Sequence, residues 1–366
     1  MTDKKKIGLK ILTFIIAMIA LELLYDLFIY KSDLNKYSPI IFNLRNIEDS
    51  CTILYLGESS NFNWNPKDSS RERISEFAAE YYPTIAFRTL DNAAYHAGNY
   101  KILLKNIKKQ SPIQTVIVTL NLRSFDAAWR YSDLETALQK SMVLIDPRFT
   151  PLINRFRLSF KDFEIKTDDE RLKQVQDAWD NETFEYIQPF AYKNVTGWDK
   201  AKGYASWLNE DGSWDLPKIN LSCHYIKTYA FQIDTLTSIR IKDFDEIVRY
   251  AHKRGWNLIF NLMAENTEKA EELDGIELVK LIRYNRDLLV NRYQRMGVMV
   301  VDNLEDVPDS LYTDRKWTTE HYAERGRKIV AKNLADSLRK IYPEYYRIPI
   351  ARPQAEKTGL SVPAAE

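Results

Sequence analysis

The sequence predicts an α/β protein: a three-layer α/β/α domain around a parallel sheet of about five strands, with an aromatic-rich insertion and one N-terminal transmembrane helix. Three observations predict it. From Cys51 onward, short β-rich apolar runs alternate with longer helical stretches about five times. The 366 residues are 45% apolar and 28% charged, and 8 Trp, 22 Tyr and 16 Phe supply mass for a large core. The chain also starts with an apolar run long enough to cross a bilayer.

The N-terminal element, residues 1–30, reads as a membrane anchor. After MTDKKK its apolar core runs from Ile11 to Leu21, and the stretch to Tyr30 reaches across a hydrocarbon layer of ~30 Å at ~1.5 Å per residue. Glu22 and Asp26 interrupt its second half, where acids reach the interface, and Tyr25 and Tyr30 stand where interfacial aromatics are expected. Lys4, Lys5 and Lys6 keep the N-terminus cytoplasmic under the positive-inside rule, so the bulk of the chain is expected outside the membrane. A cleaved signal peptide shares the first two features but lacks a small-x-small site here, and an amphipathic first helix packed on the domain is the third reading.

Residues 31–50 are polar and mixed and read as a stalk. The α/β domain follows over 51–345, with strands expected at Thr52–Leu56, Ile85–Leu90, Thr115–Leu120, Trp256–Leu262 and Gly297–Val301. Between them, helices are expected around Arg71–Tyr82, Tyr100–Lys109, Asp243–Arg254 and Glu277–Met296. The rhythm breaks over roughly 126–240, an aromatic stretch that reads as an insertion over one end of the sheet. Its Trp and Tyr faces suit a sugar or, equally, a small local core. Residues 346–366, rich in Pro, Ala and charge, read as a disordered tail.

Charge and cysteine narrow the chemistry. Lys plus Arg (52) nearly cancels Asp plus Glu (51), so no positive field exists to hold a nucleic acid. Cys51 and Cys223 read as two buried thiols or a single bridge, with no metal-type pairing. No metal and no cofactor is expected, since the His, Cys and acidic residues show no ligand spacing and no strand is followed by a nucleotide-binding glycine motif.

The stretch ILYLGESSNFNW, Ile53 to Trp64, stops an apolar run at a glycine and delivers two serines. In an open parallel sheet, ligands bind beyond the carboxyl ends of the strands, so Gly57–Glu58–Ser59–Ser60 lies at the functional edge. A turn followed by a helix N-cap explains the same residues without chemistry. Of the four histidines, His96 and His224 stand in aromatic surroundings and His252 closes a predicted helix. His321 opens HYAERGRKIVAKNLADSLRKIY, whose Ile329, Val330, Leu334, Leu338 and Ile341 recur at helical spacing, and it follows a loop with two acids, Asp314 and Glu320.

Strand-G-x-S near the domain start, joined to H-Y-x-x-x-G-x-x-x-x-A before the last helix, resembles the SGNH (GDSL-type) hydrolase superfamily. The likeness is to its membrane-anchored branch, whose members handle acyl groups on cell-envelope polymers, such as the D-alanyl-lipoteichoic-acid transfer and alginate O-acetylation types. The resemblance implies Ser59 as nucleophile, His321 as general base, and Gly326 at the matching distance. It implies oxyanion donors after the second and third strands, where Gly98 stands out of register and Asn121 competes with Arg123. The acid expected three residues before the histidine is replaced by Thr318, which leaves Asp314 or a Ser–His dyad.

The function implied is an extracytoplasmic serine esterase or O-acyltransferase on acyl esters, acetyl first among them, of an envelope glycan or polymer, with a membrane acyltransferase as a possible partner. A catalytically inactive scaffold of the same fold, binding such an acyltransferase or polymer, is the alternative.

Overall fold

A computed structural model of the chain describes residues 3–146, 148–203 and 207–349. The first helix, α1 (Asp3–Phe28), contains a segment, Lys5–Phe28, with an 18-residue window of mean hydropathy 2.3, long and apolar enough to cross a membrane; a signal sequence has the same properties. Its aliphatic and phenylalanine side chains are exposed along its length, while Tyr25 is buried against the domain.

The chain then turns into α2 (Tyr30–Tyr37) and α3 (Pro39–Ile47), which corrects the expectation of a stalk. Ile40, Ile41 and Leu44 recur on one side of α3, Pro39 opens it at a position that needs no amide donor, and all three apolar residues are buried with Leu34 in the main core. A short polar segment therefore hides an amphipathic helix pair.

Strand β1 (Ile53–Gly57) begins the sheet, followed by α4 (Ile74–Glu80), β2 (Phe87–Asp91), α5 (Ala97–Asn106) and β3 (Thr115–Leu120). The aromatic stretch forms α6 (Ala127–Arg130), α7 (Leu134–Leu144), α8 (Pro151–Ser159), α9 (Asp168–Asn181), α10 (Val195–Gly203) and α11 (Leu216–Tyr229). Then come α12 (Ile239–Arg254), β4 (Asn257–Leu262), α13 (Thr267–Asp274), α14 (Ile276–Arg295), β5 (Met299–Asp302) and α15 (Glu324–Leu338). All neighbouring strands are parallel, in the order β2-β1-β3-β4-β5.

Alternation along the strands builds the two helical layers. Ile53, Tyr55, Ile117 and Ile259 face α4 and α15, while Leu54, Leu56, Val116, Val118 and Phe260 face α3, α5, α12 and α14. In the inserted region, Phe184, Phe190 and Tyr192 pack round the buried Trp198 with ring centroids 4.7–5.8 Å apart, so these aromatics form a local core. Both cysteines are free thiols.

At the far end Tyr346 stacks on Tyr81, and the Arg347 amide donates to the Tyr81 carbonyl at 2.8 Å, so the start of the expected tail is docked. Residues 350–366 lie outside the described residues.

Candidate active site

The strand order reverses direction between β1 and β3, and the crevice at such a reversal is where open α/β sheets hold ligands. Glu58 and Ser59 leave β1 there, and Asn121 and Arg123 leave β3. Gly57 is required by contact: a Cβ at this position would lie 2.8 Å from Tyr55 Cε1 and 3.3 Å from the Asp91 Cβ. The chain then closes one 3-10 turn, Ser59–Asn61, capped by Glu58, whose Oε2 accepts the Ser60 amide at 3.0 Å. The same oxygen accepts the Ser59 hydroxyl at 2.9 Å. The hydroxyl proton is therefore directed at the neighbouring carboxylate.

His321 precedes α15. Its carbonyl accepts the Thr313 amide at 2.9 Å, and Tyr312 and Tyr322 form an antiparallel bridge beside it. Its ring stacks on Trp64 with centroids 4.7 Å apart, and the Trp64 indole N–H donates to the Ser59 carbonyl at 2.8 Å. One tryptophan thus touches both the serine segment and the histidine, residues some 260 positions apart in sequence.

Helix α15 fastens the two segments together. Arg327, fully buried, donates to the Glu72 and Ser70 carbonyls at 2.9 Å and pairs with Asp68 at 2.8 Å; Glu324 accepts the Ser70 amide at 2.9 Å. His321 Nε2 is buried and has no hydrogen-bond partner among the described residues. Burial holds its pKa below the ordinary 6.5 and the Arg123 charge adds to this, while Glu320 and Asp314 oppose it. A neutral imidazole at neutral pH follows.

Behind these residues lies a buried acidic group, Glu58, Glu265 and Glu320, with Arg123 as its counter-charge. Arg123 pairs with Glu320 at 2.5 Å, and the Tyr229 hydroxyl donates to Glu265 at 2.5 Å. Each acid retains one oxygen without a hydrogen-bond partner among the described residues. Burial, then the Glu320 charge, pushes the Glu58 and Glu265 carboxyls upward, Glu265 strongly. Among the described residues, no group of three or more His, Cys, Asp or Glu is arranged to hold a metal ion.

The other sequence candidates fall as follows. Asp314 accepts the Trp317 indole N–H and the Lys316 amide, and no hydrogen bond joins it to His321. The short DRKW turn uses its oxygens locally, so its influence on His321 is through charge alone. Thr318, at the position of the missing acid, pairs with Thr228 of α11 at 3.1 Å. Gly98 is inside the first turn of α5, where its amide donates to His96 Nδ1 at 3.1 Å; the imidazole caps the helix and takes the donor an oxyanion would need. Asn121 keeps its place: its Oδ1 accepts the Arg123 amide at 2.8 Å, which leaves its NH2 group uncommitted among the described residues. Arg123 is committed to Glu320 and lies over the Trp129 ring at 5.5 Å.

Glu58, Ser59, Asn121, Arg123 and Glu320 line one small cavity of about 20 Å³, with Ala94, Tyr95, His96 and Trp129 in its wall. This is the scale of a single water molecule. Ala94 is held at φ 65, a left-handed conformation that costs an alanine roughly 1–2 kcal/mol, and such strain clusters at working sites.

Sequence reasoning missed Trp64, Glu265, Arg327 and Ala94, gave Glu58 no role and named Glu320 only as one of two acids in the loop before His321. A signal was available for the last two, since each directly precedes a chosen residue. None was available for Glu265 or Arg327, whose partners lie on distant segments. The chain matches no protein-family model, and no curated protein sequence matches it.

Proposed function

We propose that the chain is a membrane-anchored serine esterase or O-acyltransferase, its domain on the extracytoplasmic side, that acts on small acyl esters of an envelope glycan or polymer. The observation that carries this reading is the bridge through Trp64, which brings the serine segment after β1 and the histidine before α15 to the same edge of the sheet. In the reaction, Ser59 turns its hydroxyl from Glu58 to His321 and attacks the ester carbonyl. His321 Nε2 takes the proton and returns it to the leaving alcohol. The Asn121 amide meets the oxyanion, a contribution of about 3 kcal/mol for one donor, while the Ser60 amide is held by Glu58. Water or a second alcohol then releases the acyl group.

Glu320, next to His321 in the chain and anchored by Arg123, is the acid whose charge acts on the imidazole in place of the missing one at Thr318.

The inactive-scaffold reading draws on a specific observation: Ser59 donates to Glu58, and His321 bonds neither to it nor to an acid. Hydrolysis of p-nitrophenyl acetate by the full chain in detergent separates the two. The enzyme reading expects Ser59→Ala and His321→Ala each to lose roughly 10³-fold or more in kcat. A folded chain without turnover above background supports the scaffold.

A further inference from the structure

The side of the domain next to α1 carries an apolar stripe that the acyl-transfer site does not use. Phe149, Ile153, Phe156 and Phe160 recur at steps of four, three and four on and beside α8, and they are 45%, 39%, 54% and 83% exposed. Asn154 and Leu158, on the opposite side of the same helix, are buried in the domain. Helix α8 is thus amphipathic in the reverse sense from its neighbours, with one face satisfied by the core and a second apolar face left outside.

Two observations say what covers that face. The first is its attachment to α1. The Glu22 carboxylate of α1 accepts the Thr150 hydroxyl at 2.6 Å and the Leu152 amide at 3.2 Å, which caps the N-terminus of α8. This contact sits six residues before the end of α1, about 9 Å along its axis. Leu23, Leu24, Leu27 and Phe28, all beyond Glu22, remain exposed. The start of α8 is therefore beside a part of α1 that is still apolar and outward-facing, and a bilayer that receives α1 as far as Phe28 also meets α8.

The second is charge. Asp33, Asp146 and Asp162 are taken up by Arg155, Arg148 and Arg157. Lys36, Lys140 and Lys161 are exposed with no carboxylate partner among the described residues, and Lys36 and Lys140 both sit over the Tyr37 ring. Apolar side chains flanked by unpaired lysines match an anionic lipid surface.

We infer that α8 is an interfacial helix, with Phe149, Ile153, Phe156 and Phe160 immersed in the acyl boundary of the bilayer that holds α1, so that the domain rests on the membrane surface and is not suspended above it. The inference rests on α1 lying in a bilayer.

Nitroxide labels test it on the full chain reconstituted into vesicles of phosphatidylcholine and phosphatidylglycerol. Labels are placed by Phe156→Cys, Phe160→Cys, Leu172→Cys on exposed α9 as the aqueous control, and Ile15→Cys in α1, all with Cys223→Ala and the buried Cys51 kept. The expected result is an oxygen-to-nickel-chelate collision ratio at 156 and 160 several-fold above that at 172, rising with the phosphatidylglycerol fraction. Ratios at 156 and 160 equal to that at 172 overturn the inference while 15 remains lipid-exposed. So does shelter from both reagents with spin–spin broadening, which would mean that a second copy covers the stripe. An aqueous signal at 15 removes the anchor itself and is read separately from the other labels.

Discussion

At the scale of single residues, the site is governed by neighbours in the chain as much as by distant partners. Glu58 accepts a hydrogen bond from the Ser59 hydroxyl and Glu320 acts by charge on His321, so each chosen residue has a carboxylate one position before it. The pH dependence follows. Acyl transfer needs a neutral imidazole, and burial keeps His321 below 6.5, so ester turnover is expected to persist as pH falls through 6.5 and to drop at a lower apparent pKa. The Glu320 charge raises that value, so Glu320→Gln is expected to move the acid limb of kcat/KM to still lower pH. A pH–rate profile of the variant checks this, and a limb that stays fixed or moves upward counts against a role for Glu320. Glu58 was visible in the sequence as a letter without a task, and Glu320 as one of two loop acids. The tasks proposed for them come from burial, and burial of a loop residue depends on how distant elements cover it, which local pattern does not report.

At the scale of elements, the strands were legible and the connections less so. Five apolar runs flanked by helical periods fix a parallel sheet, and the observed strands begin within two residues of the expected ones; the three central runs, buried on both faces, have the fewest alternatives and begin within one residue. The segment 31–50 failed because its polar letters outnumber the Ile40, Ile41 and Leu44 that decide its fate. A free stalk would tolerate Leu44→Ala without loss. In the present structure, that change empties a fully buried site and is expected to lower stability by about 2–5 kcal/mol, read from urea denaturation of the full chain in detergent. Arg327 makes a second test. Its planar fork serves two carbonyls and Asp68 at once, which no lysine ammonium reproduces, so Arg327→Met leaves the largely buried Asp68 uncompensated and is expected to cost about 3–5 kcal/mol. Arg327→Lys is expected to recover little of it, and both variants should expose residues 65–72 to limited proteolysis; an unchanged midpoint would show that α15 does not hold the serine loop.

At the scale of the whole molecule, the chain is an α/β domain fastened to an apolar helix, and its candidate chemistry sits at the carboxyl edge of the sheet. The two segments proposed for catalysis enter from opposite ends of the sequence, Ser59 after the first strand and His321 after the last. Their meeting follows from sheet order: β1 lies inside the sheet next to β3, and α15 returns from the edge strand β5 to cover it. Both residues were proposed from local signals, a glycine after a strand and a polar residue before an amphipathic helix. The positioning of Asp314 and Gly98 escaped it because a side chain's hydrogen-bond partner is a tertiary fact. The most direct measurement is covalent capture by a serine-reactive fluorophosphonate on the full chain in detergent, with the modified peptide mapped by mass spectrometry. An acyl-transfer site predicts a single adduct on Ser59, absent in Ser59→Ala and strongly slowed in His321→Ala. A folded chain that takes no label, or one whose labelling survives Ser59→Ala, contradicts it.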